Sequence, residues 1–144
     1  MPIPNQLERT ANVGYSFLCL PVDLASITAA GDVVTTVTPG FPGWVQKWFW
    51  VTNVAVSTGG KLATLNLEVN AVDIKMPDGV TNSTISLTSA AVTPIGKVIA
   101  GTAVGQGWAK FDKDDTISVE ASSVTAFVEG SGTVVLVVGY RILK

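Results

Sequence analysis

Apolar and polar residues alternate with a period of two along most of this chain, and Gly, Pro, Asn and Asp break the alternation at short intervals. A period of two sends successive side chains to opposite sides of a strand, and the breakers mark turns, so the pattern predicts an all-β domain. Val and Thr, which favour strands, dominate from Val13 onward. Strands are predicted over Val13–Leu20, Asp32–Thr38, Gly43–Ser57, Lys61–Ile74, Thr84–Thr88, Gly96–Ala103, Thr116–Ala121 and Thr133–Leu143. A stretch near Val124–Val128 adds another, joined to the final strand by the turn Glu129-Gly130-Ser131-Gly132. Val134-Val135-Leu136-Val137-Val138 is apolar throughout, so the last strand is expected to be central and buried on both faces. Ser57-Thr58-Gly59-Gly60 supplies residues suited to positive φ, which predicts one long antiparallel hairpin over Trp44–Ile74. Helical signals are confined to Asp23–Ala30, where Asp23 is placed to cap a single turn of Leu24-Ala25-Ser26-Ile27.

About eight strands joined by turns, with no helices for parallel crossovers, predict an antiparallel two-sheet sandwich. Jelly roll is the preferred topology; an immunoglobulin-like Greek key is the alternative, although the Cys and Trp spacing of true immunoglobulin domains is missing. Residues 12–144 are read as one sandwich domain. Residues 1–11 carry Pro2 and Pro4 and no periodicity, which predicts an extended N-terminal arm. Such an arm is either a frayed terminus or a clamp on a neighbour, with Pro2, Ile3, Pro4 and Leu7 as its candidate contacts.

Composition sharpens this picture. A chain of 144 residues suits one domain with a sizeable core. Charged residues make up only 14% of it, against roughly 25% in ordinary soluble domains, while 47% are hydrophobic. A lone domain of this size should display more charge, so part of its surface is expected to be covered by other subunits, another protein or lipid. The formal net charge of -2 offers no basic field for a phosphate backbone, and nucleic acid is not an expected partner. Tyr15–Val22 is too short for a signal-peptide core, being preceded by the neutral pair Glu8-Arg9 and cut by Pro21 and Asp23, so no signal peptide is read. No stretch approaches the roughly 18 apolar residues of a spanning helix, and a membrane β-barrel would need an export signal. A membrane is therefore not an expected partner either.

The absence of His removes the commonest general base and neutral-pH metal ligand. No nucleophile, base and oxyanion set can be assembled, so an enzyme is not expected, and neither is a cofactor. Cys19, the one cysteine, stands in the apolar run Phe17-Leu18-Cys19-Leu20 and is read as a small core residue. In Trp44-Val45-Gln46-Lys47-Trp48-Phe49-Trp50-Val51, strict alternation would put Trp44, Trp48 and Trp50 on one face and Val45, Phe49 and Val51 on the other. Those tryptophans are core residues, anchors of a subunit interface, or a sugar-stacking platform; Gln46 and Thr52 give the last few polar partners. Asp112-Lys113-Asp114-Asp115 gathers carboxylates of the kind that bind hard cations, but lacks an EF-hand pattern and reads as a turn, so no metal site is assigned. Asp78-Gly79 is likewise a turn, and Glu68 with Asp73 has no acid/base counterpart. The glycine-rich run Gly101–Gly107 opens no helix and is a loop; Asn82-Ser83-Thr84 is a chance glycosylation sequon in a chain read as unexported.

Phe41-Pro42-Gly43-Trp44, the stretch Leu65-Asn66-Leu67-Glu68-Val69-Asn70, Ile85-Ser86-Leu87-Thr88-Ser89-Ala90 and the ending Ala126-Phe127-Val128-Glu129-Gly130-Ser131-Gly132 together resemble the small capsid decoration, or cement, proteins of tailed bacteriophages. The resemblance spans residues 32–143 and is one of sequence style, without a diagnostic motif. It implies a β-sandwich or jelly-roll protein, commonly trimeric, that binds the outside of an icosahedral head at junctions between major capsid subunits and stiffens the shell. It implies a virion location after synthesis in the host cytoplasm, and offers no catalytic residues to carry over. The expected partners are a major capsid protein and further copies of the chain. The alternative is a carbohydrate-binding or adhesin-like β-sandwich, such as a receptor-binding or tail component, which requires a tryptophan exposed in a shallow groove.

Overall fold

The structure is a computed structural model and describes residues 13–142; the arm expected over residues 1–11 lies outside the described residues. Ten strands follow one another: β1 (Val13–Asp23), β2 (Gly31–Val37), β3 (Gly43–Val54), β4 (Leu62–Val69), β5 (Val72–Asp73), β6 (Thr84–Thr88), β7 (Val98–Ala100), β8 (Lys110–Phe111), β9 (Ile117–Thr125) and β10 (Ser131–Arg141). The only α-helical turn among the described residues, α1 (Ser89–Val92), is capped by the Thr88 hydroxyl. As the sequence predicts, Asp23 caps a short 3-10 turn over Leu24–Ser26 by accepting the Ala25 N–H at 3.0 Å.

The strands form two antiparallel sheets packed against each other as a β-sandwich. The first has the order β1-β10-β3, with β7 and β8 on the far edge of β3; the second has the order β2-β9-β4, with β5 and β6 on the far edge of β4. β1 pairs with β10, β2 with β9, β3 with β7 and β4 with β6, so these pairings are nested about one reversal of the chain between β4 and β6. Pairing of β10 with β3 and of β9 with β4 closes the two sheets. Leu20, Trp48, Trp50, Val134, Leu136 and Val138 of the first sheet meet Leu65, Leu67, Ile85, Leu87, Ile117 and Val119 of the second in one core. β10 is central, and Val134–Val138 are buried on both faces, as their unbroken apolar run predicts.

Three local expectations are corrected. The long hairpin over Trp44–Ile74 does not form: β3 and β4 belong to different sheets, and Ser57–Gly60 carries the chain across. Both edges of β3 are taken, one by β10 and the other by β7 and β8, so no edge remains for β4. A strand with two apolar faces finds its best neighbour in another such strand, and β10 supplies it from the far end of the chain. The stretch Lys61–Ile74 also breaks, at Asn70 and Ala71, whose φ values of 52° and 60° form a tight hairpin turn from β4 to β5. Finally, Lys47 pairs with Val137 while Val45 pairs with Val138, so Gln46 is the extra residue of a β-bulge. The bulge reverses the faces ahead of it: buried Val45 joins Trp48 and Trp50 in the core, and Trp44 does not share their face.

Candidate functional site

The outer faces of the two sheets differ in chemistry. On the first sheet, register places three rows side by side: Phe17, Val137 and Lys47; Cys19, Val135, Phe49 and Ala100; Pro21, Thr133, Val51 and Val98. Their neighbours one residue along, Leu18, Leu20, Leu136, Val134, Trp48 and Trp50, point into the core, so these rows face outward. Lys47 is the one charged side chain among them. Tyr15, Phe17 and Val98 are 59%, 64% and 55% exposed, and with their apolar row neighbours they form a contiguous patch, where apolar residues exposed singly would be ordinary. Cys19 is exposed on this face, and not in the core as its apolar neighbours suggested, because the odd positions of β1 point outward.

On the second sheet the corresponding rows are Ser122, Thr64 and Ser86; Glu120, Asn66 and Thr84; and Ser118, Glu68 and Asp73. That face is hydroxyl, amide and carboxylate, suited to water. Ligand oxygens of Glu68, Asp73 and Glu120 lie within 4.8 Å of one another, and these are the residues among those described whose spacing could hold a cation. Burial raises the Glu68 carboxyl above its usual range, and the neighbouring Glu120 and Asp73 charges add to this against a hydrogen bond from the Ser118 hydroxyl at 2.9 Å. Asp73 accepts from Asn82 Nδ2 at 2.8 Å through one oxygen, while its other oxygen is buried without a hydrogen-bond partner among the described residues. The sequence reading saw Glu68 and Asp73 but not Glu120, which the β4–β9 pairing brings beside them.

The tryptophans separate. Trp48 is buried and donates its indole N–H to Ser83 Oγ at 2.9 Å; Trp50 is buried and donates to Thr52 Oγ1 at 2.9 Å. Both are core residues. Trp50 lies so close over Gly132, and Trp44 over Gly139, that a Cβ at either glycine would collide with the indole. Trp44 is half-buried and lines an open groove of about 1190 Å³ at the end of the first sheet. Phe41, Phe111 and Tyr140 share that groove, with Phe41 edge-to-face to both others at centroid distances of 5.9 and 5.7 Å. Ser16, Gln106, Lys110, Asp112, Asp115 and Arg141 supply its polar lining.

Other motifs resolve into structure. Asp115 closes its own turn by accepting the Asp112 N–H at 2.7 Å and ties it to Asn70 Nδ2 at 2.8 Å, while Lys113 pairs with Asp114 at 3.3 Å, so Asp112–Asp115 is a turn. Asp78 holds the N–H groups of Val80 and Thr81, and Gly79 adopts a positive φ of 71°. Asn82 is engaged by Lys75 and Asp73, and Ser83 of the same sequon holds Trp48. Gly101–Gly107 opens no helix and forms the connection between β7 and β8. Pro2, Ile3, Pro4 and Leu7 lie outside the described residues. Among the described residues no helix is long and apolar enough to cross a membrane. No protein-family model, curated protein or solved structure matches the chain.

Proposed function

We propose that this protein is a structural component of a phage particle, seated on the outer surface of an icosahedral capsid at junctions between major capsid subunits, with a homotrimer as the assembled unit. The observation that carries the reading is the contrast between the two outer faces: the first sheet presents Tyr15, Phe17, Cys19, Phe49, Val51 and Val98 around buried Val135 and Val137, while the second is polar. A stable docking interface covers roughly 800 Å² on each partner, and an apolar patch spanning four strands, with Lys47 the one charge in its three central rows, suits the centre of such an interface. A protein bound to the assembled lattice in preference to free subunits stabilises that lattice by mass action. The chain is read as a binding protein and not a catalyst.

The nested strand pairing supports a jelly-roll connectivity over an immunoglobulin-like Greek key, since β1-β10-β3-β7 opposite β2-β9-β4-β6 is the order that two interlocked Greek keys produce. The experiment is to sediment large particles from the native source, wash them at moderate salt and quantify the polypeptide by mass spectrometry. Stoichiometry with a major capsid protein is the expected result; absence from the particles overturns the proposal.

A further inference from the structure

We infer that the groove at the end of the first sheet is a binding site for a neutral oligosaccharide. This goes beyond the docking role and rests on different residues. The groove's aromatic walls are set in place before any ligand arrives: Phe41 is held edge-to-face between Phe111 and Tyr140, and Trp44 rests on Gly139 with its indole N–H tied to Gln46 Oε1 at 3.1 Å. Flat, fixed aromatic surface suits the apolar C–H faces of a sugar ring, and the rings lose little freedom when it lands.

The polar lining is of the complementary kind. Among the described residues, the side chains of Ser16, Lys110, Asp112 and Arg141 make no intramolecular hydrogen bond or ion pair, although all four border the groove. Gln106 adds an amide, held only by a long 3.4 Å contact to Gln46. Together they offer donors and acceptors at close quarters, which is what a ring of hydroxyls, each both donor and acceptor, requires.

Charge narrows the ligand class. Lys110 and Arg141 are matched by Asp112 and Asp115, so the groove has no net sign with which to select a phosphate or a metal ion. Asp115 is moreover committed to Asn70 and to the Asp112 N–H, and its carboxyl is held below the usual range by those bonds. A volume of about 1190 Å³ in an open groove exceeds what a single ring fills, so the fitting ligand is a chain of sugars. Most of the polar partners beside Trp44 come from residues 106–115, which β8 delivers to the edge of β3, and Ser16 and Arg141 add to them from β1 and β10.

The test uses the full chain on an array of neutral, sulfated and phosphorylated oligosaccharides, followed by titration calorimetry with the best member. Binding of a neutral oligosaccharide is expected, with affinity reduced roughly tenfold or more by Asp112→Ala and by Gln106→Ala, each of which removes a direct hydrogen bond. Both side chains are exposed, so the variants should melt with the parent; Trp44→Ala is a third variant, to be used only if its melting curve is unchanged. No binding across the array overturns the inference. So does a preference confined to the sulfated or phosphorylated members, or neutral binding that survives both exposed substitutions. Particle sedimentation reads the docking role separately, so either proposal can fail alone.

Discussion

Glu129 Oε1 accepts both the backbone N–H of Ser57, at 2.8 Å, and its hydroxyl, at 2.6 Å. The same oxygen accepts the N–H and hydroxyl of Thr58 at 2.8 and 3.0 Å. One carboxylate thereby fastens the β3–β4 connection to the β9–β10 connection, two of the places where the chain passes between sheets. These bonds, with the Ser57 hydroxyl first, hold the Glu129 carboxyl at about 2, well below the ordinary 4.5. A depressed folded-state value means that the bonds stabilise the fold fully above about 4.5 and are lost as pH falls toward about 2. Thermal melts across that range should therefore show the parent losing stability on acidification more steeply than Glu129→Gln, whose amide does not titrate. Parallel pH profiles for the two proteins would remove Glu129 from the account.

Gly132 faces the core beneath Trp50, where a Cβ would collide with the indole carbons. Trp50 has little room to retreat, because it is fully buried and its N–H is held by Thr52. Gly132→Ala is expected to destabilise the domain by roughly 1–3 kcal/mol, the usual cost of forcing extra volume into a packed core. Urea denaturation measures this directly. The control is Gly59→Ala, where nothing lies within 4 Å of the new methyl group.

These two sites also separate what the sequence reveals from what it hides. β1, β6, β10 and the Asp23 cap are legible because local alternation, an apolar run or a single capping side chain dictates them. The β3–β4 relationship is not, since Ser57–Gly60 has hairpin chemistry while the choice of partner for β3 is made by β10, some eighty residues away in sequence, as the Asn53–Thr133 hydrogen bond illustrates. The bulge at Gln46 is hidden for a different reason: one extra residue between apolar neighbours leaves the alternation looking intact while reversing the side on which Trp44 falls. The groove needed residues 106–115 beside Trp44, and the outer apolar face needed the register of four strands. Composition announced that such a face should exist, through its scarcity of charge, without saying where.

Glu68 should respond to pH in the sense opposite to Glu129. Burial, with Glu120 and Asp73 nearby, disfavours its charged form in the folded state, so the folded protein retains the Glu68 proton to higher pH than the unfolded chain does. Its penalty is absent below the ordinary 4.5 and grows as pH rises toward the elevated folded value. Glu68→Gln, which keeps an oxygen for the Ser118 hydroxyl, should raise the melting temperature at neutral pH and lose that advantage in acid. A variant that is less stable than the parent at neutral pH would mean that the charged carboxylate is favourably held there.

The apolar outer face yields the most direct test of the docking proposal, because its most exposed members contribute little to the fold. Phe17 is 64% exposed, so Phe17→Glu should change stability by no more than roughly 0.5 kcal/mol. If the face seats on a shell, the same substitution places an unpaired charge in the interface and should strip most of the protein from washed particles. Ser86→Glu, an equal change of charge on the exposed, polar side of the second sheet, is the matched control and should leave occupancy unaltered. The comparison is read from gel densitometry of sedimented particles beside melting curves of the two variants. Equal occupancy for both, or loss caused by Ser86→Glu instead, would move the contact away from the first sheet.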